Sequence, residues 1–152
     1  MLVSSDGQDP VELIPVFLRH LRAGKQLVQG SRFLREEDIA AVPVKYRIYQ
    51  RIYRALCRAL LGMTAVDTTN GFRGFDRIFV QALGLSAKSF NVCPEMTFKI
   101  MLCGGSIEYV PGKPRGLREG GQSKFQLPSE IWGYAYVLVR AAIHRAGIRL
   151  WF

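Results

Sequence analysis

The opening of the chain constrains its fold more than any other stretch. "MLVSS" reads as the end of a buried strand, and it runs into "DGQDP", a loop that carries carboxylates in the manner of a phosphate or metal site. Pro10 then stands where a first helical turn tolerates it, and Leu13, Ile14, Phe17, Leu18 and Leu21 recur at helical spacing up to Gly24. "QLVQGSRF" follows as a short buried strand that stops at Gly30, which leaves Ser31 and Arg32 on a strand-end loop. A helix over about Pro10 to Ala23 between two strands is the building block of an α/β sheet, whose sites lie at the carboxyl ends of its strands.

Composition narrows the partners. A chain of 152 residues that is 49% hydrophobic has enough apolar material for one domain with an ordinary core, which excludes wholesale disorder. Its net charge of +9 points to an anionic partner: nucleic acid, a membrane surface or a phosphorylated small molecule. Cys57, Cys93 and Cys103 are odd in number and lack metal-type spacing, so a reducing compartment is expected rather than a disulfide framework or zinc knuckle. The opening shows no charged segment followed by a long apolar run. The apolar stretch Ile131 to Val139 ends at Arg140, well short of the roughly 20 residues a membrane span needs, and reads as an interfacial or buried helix.

Along the rest of the chain, "REEDIAAVP" reads as a polar connection. A long helix is expected from Pro43 to about Gly62, with three faces. Tyr46, Tyr49, Tyr53, Leu56 and Leu60 form one stripe, Ile48, Ile52, Ala55 and Ala59 a second, and Arg47, Arg51, Arg54 and Arg58 a basic third. That basic face is either a solvated surface or the side of a helix lying on anionic lipid. "DTTNGFRGFDRIFVQAL" reads as a glycine-rich loop into a helix, "CPEMTFKIMLCGG" as a helix closed by glycines, and "SIEYVP" as a strand. "GKPRGLREGGQSKF" is a glycine-rich cationic loop, able to wrap an anion or to serve as a linker. From Pro128 a last helix carries Trp132, Tyr136, Val139 and Ile143 on one stripe, with Arg140 and His144 on another.

Nucleophilic catalysis by a triad finds little support, because His20 and His144 both fall on predicted helices away from any serine elbow. Carboxylate chemistry stays open through Asp6, Asp9, Asp67 and Glu95. Asp67 precedes Thr68, Thr69, Asn70 and Gly71, where Asp and Asn also serve as turn formers. Glu95 follows Pro94 in a first helical turn, where the helix dipole favours a carboxylate without any catalysis.

Five blocks in order, "SSDGQDPVELIP", "VQGSRF", "DTTNGFRGFDR", "CPEMTFKIMLCGGSIEYVP" and "RGLREGGQSKF", resemble the family 2 glycosyltransferases of the dolichol-phosphate mannosyltransferase type. The resemblance covers about residues 3–126, and its most specific parts are "GFRGF" and the set Arg118, Gly121, Ser123 and Lys124. It implies a GT-A-like α/β domain that moves a sugar from a nucleotide sugar to an acceptor with inversion. The acceptor is expected to be a polyprenyl phosphate at a membrane, in cell-envelope polysaccharide synthesis. The family's Asp-x-Asp motif holds Mg or Mn against the donor diphosphate, as hard oxygen ligands suit. Asp6 matches its second aspartate and becomes the metal candidate, with a loop cap as the other role open to it, while Ser4 stands in the place of the first. The resemblance makes Arg32, Arg73, Arg118, Ser123 and Lys124 candidates for binding phosphate, and Asp67 and Glu95 the candidate catalytic carboxylates.

The expectation is therefore an incomplete GT-A-like domain over residues 1–126, lacking the N-terminal strands that carry base and ribose contacts, followed by an amphipathic or interfacial helix over 127–152. Such a chain alone is expected to transfer sugar inefficiently, and its apolar edge at "MLVSS" to invite self-association or a partner that completes the sheet. The expected place is the cytoplasmic face of a membrane, as a peripheral protein. Two rivals belong to binding classes: a non-catalytic membrane-surface protein that uses the same arginines, and a basic nucleic-acid-binding module. The second lacks any recognisable motif, so no nucleic-acid partner is expected.

Overall fold

The computed structural model describes residues 1–4, 7–64, 66–112 and 127–148. It is a mixed α/β structure with a small three-stranded mixed sheet and six α-helices among the described residues. A 3-10 turn at Val11–Leu13 leads into α1 (Ile14–Arg22), then β1 (Leu27–Ser31), α2 (Glu36–Ala41), α3 (Val44–Leu61), β2 (Arg73–Phe75), α4 (Arg77–Ala82), α5 (Val92–Leu102), β3 (Ile107–Pro111) and α6 (Leu127–Arg145).

The sheet runs in the order β2-β1-β3. β1 is parallel to β3, with Leu27 opposite Ile107, and antiparallel to β2, with Gln29 opposite Arg73. Leu2 adds an antiparallel bridge to Arg73 on the outer side of β2, through N–H to carbonyl bonds of 2.8 and 3.2 Å. Leu2 therefore runs parallel to β1 and β3, and these three segments send their carboxyl ends the same way. Met1, Leu2 and Val3 stay exposed on that outer edge.

Strand alternation sends neighbouring residues of β1 to opposite layers. Val28 joins Phe72 and Val110 against Phe17 of α1, whose ring centroid lies 4.7 Å from that of Phe72. Leu27 faces Val80 of α4 and Met96 and Ile100 of α5. Removing a filled aromatic such as Phe17 to alanine would cost about 3–5 kcal/mol. Gly30 is needed where β1 passes β2, because a Cβ there would sit 2.9 Å from Phe72 Cδ1.

A third cluster lies beyond α5, where Phe98 meets Cys57 and Leu61 of α3 and Val137, Leu138 and Ala141 of α6. Because α5 sits between the sheet and these two helices, every residue from Cys93 to Ile100 is buried. α3 stops where its periodicity predicts, on Gly62 in the left-handed region at φ 60°.

Four sequence readings need correction. "MLVSS" is not the end of a buried strand: Leu2 makes a single bridge to Arg73, and Met1, Leu2 and Val3 lie exposed on the sheet's outer edge. The stretch "REEDIAAVP" contains α2, whose first turn carries Glu36, Glu37 and Asp38 against the positive helix end. The glycine-rich segment after Asp67 contains β2, a strand too short for alternation to reveal and defined by its pairing with β1. The tyrosine stripe expected on α3 divides: Tyr53 turns inward with Gln50, Cys57 and Leu61, while Tyr49, Leu56 and Leu60 are exposed beside Ile48 and Ile52.

Candidate functional site

The parallel carboxyl ends meet at one cavity of about 170 Å³, lined by Ser4, Gln8, Asp9 and Pro10 after the first bridge, Arg32 after β1, Asn70 and Phe72 before β2, and Gly112 after β3. Backbone bonds tie these ends together: Gly112 N–H donates to the Ser31 carbonyl at 3.0 Å, and Gly30 N–H to the Phe72 carbonyl at 2.9 Å. Asn70 fastens its loop to β1 from both sides of its amide. Its Nδ2 donates to the Gly30 carbonyl at 2.7 Å, and its Oδ1 accepts from Phe72 N–H at 3.2 Å. The loop after Leu2 is closed by Asp9, whose Oδ2 accepts from Ser4 N–H at 2.6 Å.

Arg32 and Asp67 form the charged pair of the site. The Asp67 carboxylate is fully enclosed, and its Oδ1 accepts from the backbone N–H and the hydroxyl of Thr69, each at 3.2 Å. Its Oδ2 lies 3.7 Å from Arg32 Nε, beyond hydrogen-bond length, and has no hydrogen-bond partner among the described residues. Arg32 is one-third exposed and lines the cavity. One end of the pair is thus held by the protein while the other is presented to a ligand. Gln29 supports the arrangement from the sheet, donating through Nε2 to the Asp67 carbonyl. The phenol of Tyr109, one strand over, is pushed up to about 12, chiefly by burial and also by the charge of Asp67, so it stays protonated at neutral pH.

The other candidate residues fall elsewhere. Arg73 is fully buried, and its guanidinium donates to the carbonyls of Asn70 (3.0 Å from Nε), Cys93 (2.8 Å) and Thr68 (3.3 Å). It binds the loop of Asp67 to α5 from beneath and does not line the cavity. Glu95 is also buried and points away from the pair, accepting from Ser86 N–H, Ser86 hydroxyl and Ala87 N–H, with Lys99 Nζ 3.3 Å away. Burial pushes its carboxyl up, but those hydrogen bonds and the Lys99 charge outweigh burial and hold it below its ordinary value. Asp6, Arg118, Ser123 and Lys124 lie outside the described residues. Sequence reasoning did not single out Gln29 or the clamp made by Asn70. A glutamine inside the apolar run "QLVQGS" was the available signal, since a buried amide needs a specific partner.

Compared with protein-family models, with curated proteins and with solved structures, the chain finds no match. Its chemistry therefore rests on the geometry. A partly exposed guanidinium backed by a buried carboxylate, at the end of a parallel strand pair, suits recognition of an anionic oxygen, phosphate above all. Among the described residues no three His, Cys, Asp or Glu side chains gather as a metal site, and no helix is long and apolar enough to cross a membrane.

Proposed function

We propose that the chain is a GT-A-like glycosyltransferase domain that passes a sugar from a nucleotide sugar to a polyprenyl phosphate, with inversion. The observation that carries the reading is Arg32, which lines a cavity at parallel carboxyl ends and is backed by the buried carboxylate of Asp67, in the order of the sequence blocks that carry the resemblance. In this reading Arg32 holds the acceptor phosphate and Asp67 holds Arg32 in place. One phosphate oxygen forms the new bond to the anomeric carbon, while the bond from that carbon to the diphosphate oxygen breaks and its electron pair leaves with the nucleoside diphosphate. A phosphate with its second pKa near 6 is already largely ionised at neutral pH, so no strong general base is required. This agrees with a chain that has only two histidines. A divalent cation enters the proposal through Asp6 alone.

The test is incubation of the protein with manganese, a panel of nucleotide sugars and either farnesyl phosphate or farnesol. Slow release of nucleoside diphosphate that requires the acceptor phosphate, with a sugar of inverted configuration in the product, is expected. Equal release with farnesol, or none with any donor, contradicts the proposal.

A further inference from the structure

α3 carries two apolar faces, and only one of them packs. Tyr53, Cys57 and Leu61 turn toward the core, whereas Ile48, Ile52, Leu56 and Leu60, spaced every four residues, are exposed. Ile52 is 54% exposed in the middle of this row. α6 repeats the arrangement. Val137, Leu138 and Ala141 enter the same core cluster, while Trp132, Tyr136 and Val139 face outward, Trp132 at 78% exposure. The two helices touch through Tyr53 and Tyr134, whose ring centroids lie 5.9 Å apart. Both therefore turn an apolar face away from one shared cluster.

Charge follows the same surface. Arg51, Arg54 and Arg58 recur along one side of α3 and line a groove of about 400 Å³, floored by Ala55, Ala59 and Met63. The small alanines leave room between the guanidinium groups, and the apolar floor continues from the exposed row. Groove and row together match an amphiphile with an anionic head and an apolar body.

We infer that the outward face of α3 and α6 docks on an anionic lipid bilayer, with phosphate headgroups seated between Arg51, Arg54 and Arg58. The helices lie along the surface, since neither is long and apolar enough to cross. A second copy of the chain fits less well, because a two-fold contact would bring the arginine rows of two strongly basic chains together. Nucleic acid would engage the arginines but leave Ile48, Ile52, Leu56 and Trp132 in water. The inference uses no residue of the cavity lined by Arg32, so it stands apart from the transfer reading.

The experiment is sedimentation of the full chain with vesicles of phosphatidylcholine alone and with added phosphatidylglycerol, at low and high salt. Selective binding to the anionic vesicles is expected, weakening with salt. Arg51→Gln, Arg54→Gln and Arg58→Gln combined should lower it by about a hundred-fold, roughly five-fold for each arginine. Ile48→Ser with Ile52→Ser should weaken binding at both salt concentrations. Because these side chains are exposed, thermal melting should stay unchanged in both variants. Equal binding to both vesicle types, or no loss in the arginine variant, overturns the inference. So does a dimer in light scattering that the isoleucine variant disperses, or salt-sensitive RNA binding without any preference for anionic vesicles.

Discussion

Asp67 Oδ2 stands 3.7 Å behind Arg32 Nε, the carboxylate enclosed and the guanidinium one-third exposed. At that distance, with water reaching the cation, the ionic attraction contributes little to stability. The Thr69 hydrogen bonds to Oδ1 matter more.

Asp67→Asn keeps an acceptor for Thr69 and should change unfolding free energy by less than about 1 kcal/mol. Asp67→Ala removes the acceptor and should cost about 1–3 kcal/mol. Urea denaturation of the two variants separates the cases, and equal losses would show that charge rather than loop geometry is the main contribution.

Arg73 should behave as a structural residue. Arg73→Lys keeps the charge but loses the fork that serves three carbonyls, each costing about 1–3 kcal/mol when orphaned. A drop in the urea midpoint with an unchanged slope is the expected result. A variant as stable as the parent would mean that the loop does not need this anchor.

The contrast between Arg32 and Arg73 shows what was legible beforehand. The helix α1 and the strand β1 after it, the helices at α3 and α5 and the strand at β3 follow from periodicity and glycine stops, and the structure contains each of them, whereas the strand expected at "MLVSS" is a single bridge at exposed Leu2. The resemblance treated both arginines as phosphate ligands, because each lies in a glycine-containing block and sequence carries no depth. Arg73 is one residue inside β2 and opposite Gln29, which puts it under the loop, whereas Arg32 is one residue past β1 and reaches the cavity. The outward apolar row of α3 joins Ile48 and Ile52 from one expected stripe to Leu56 and Leu60 from another, because which residues pack depends on α5 and α6, elements far away in the chain.

Glu95 should make the protein acid-sensitive. Its folded carboxyl is held below the ordinary value of 4.5, so the stability it contributes is fully present above that pH and disappears as pH falls through the folded value. Glu95→Gln should flatten stability against pH on the acid side, and should also lower stability at neutral pH by about 3–5 kcal/mol by leaving Lys99 buried without its carboxylate. Denaturation midpoints followed from neutral to acid pH check this, and parallel curves for the two proteins would remove Glu95 from the account.

Thiol reactivity should divide in the same way as burial. Cys103 is exposed, whereas Cys57 is buried with its thiol pushed up to about 12 by burial, and Cys93 is buried in α5. An aromatic disulfide reagent should titrate one thiol quickly in the native protein and all three after denaturation. Fast reaction of Cys57 would show that α3 separates readily from α6.

The central claim is that Arg32 presents its charge to a phosphate in the cavity at the carboxyl ends. Calorimetric titration with farnesyl phosphate and with farnesol, on Arg51→Gln, Arg54→Gln, Arg58→Gln protein with and without Arg32→Gln, tests it most directly, because the first three changes remove the α3 groove as a second anion site. Loss of a charge-assisted hydrogen bond of about 1.5–3 kcal/mol corresponds to a loss of roughly ten- to a hundred-fold in affinity. The account predicts that loss for farnesyl phosphate when Arg32→Gln is added, with farnesol bound weakly and equally by both proteins. Farnesyl phosphate bound as tightly with Arg32→Gln as without it would contradict it.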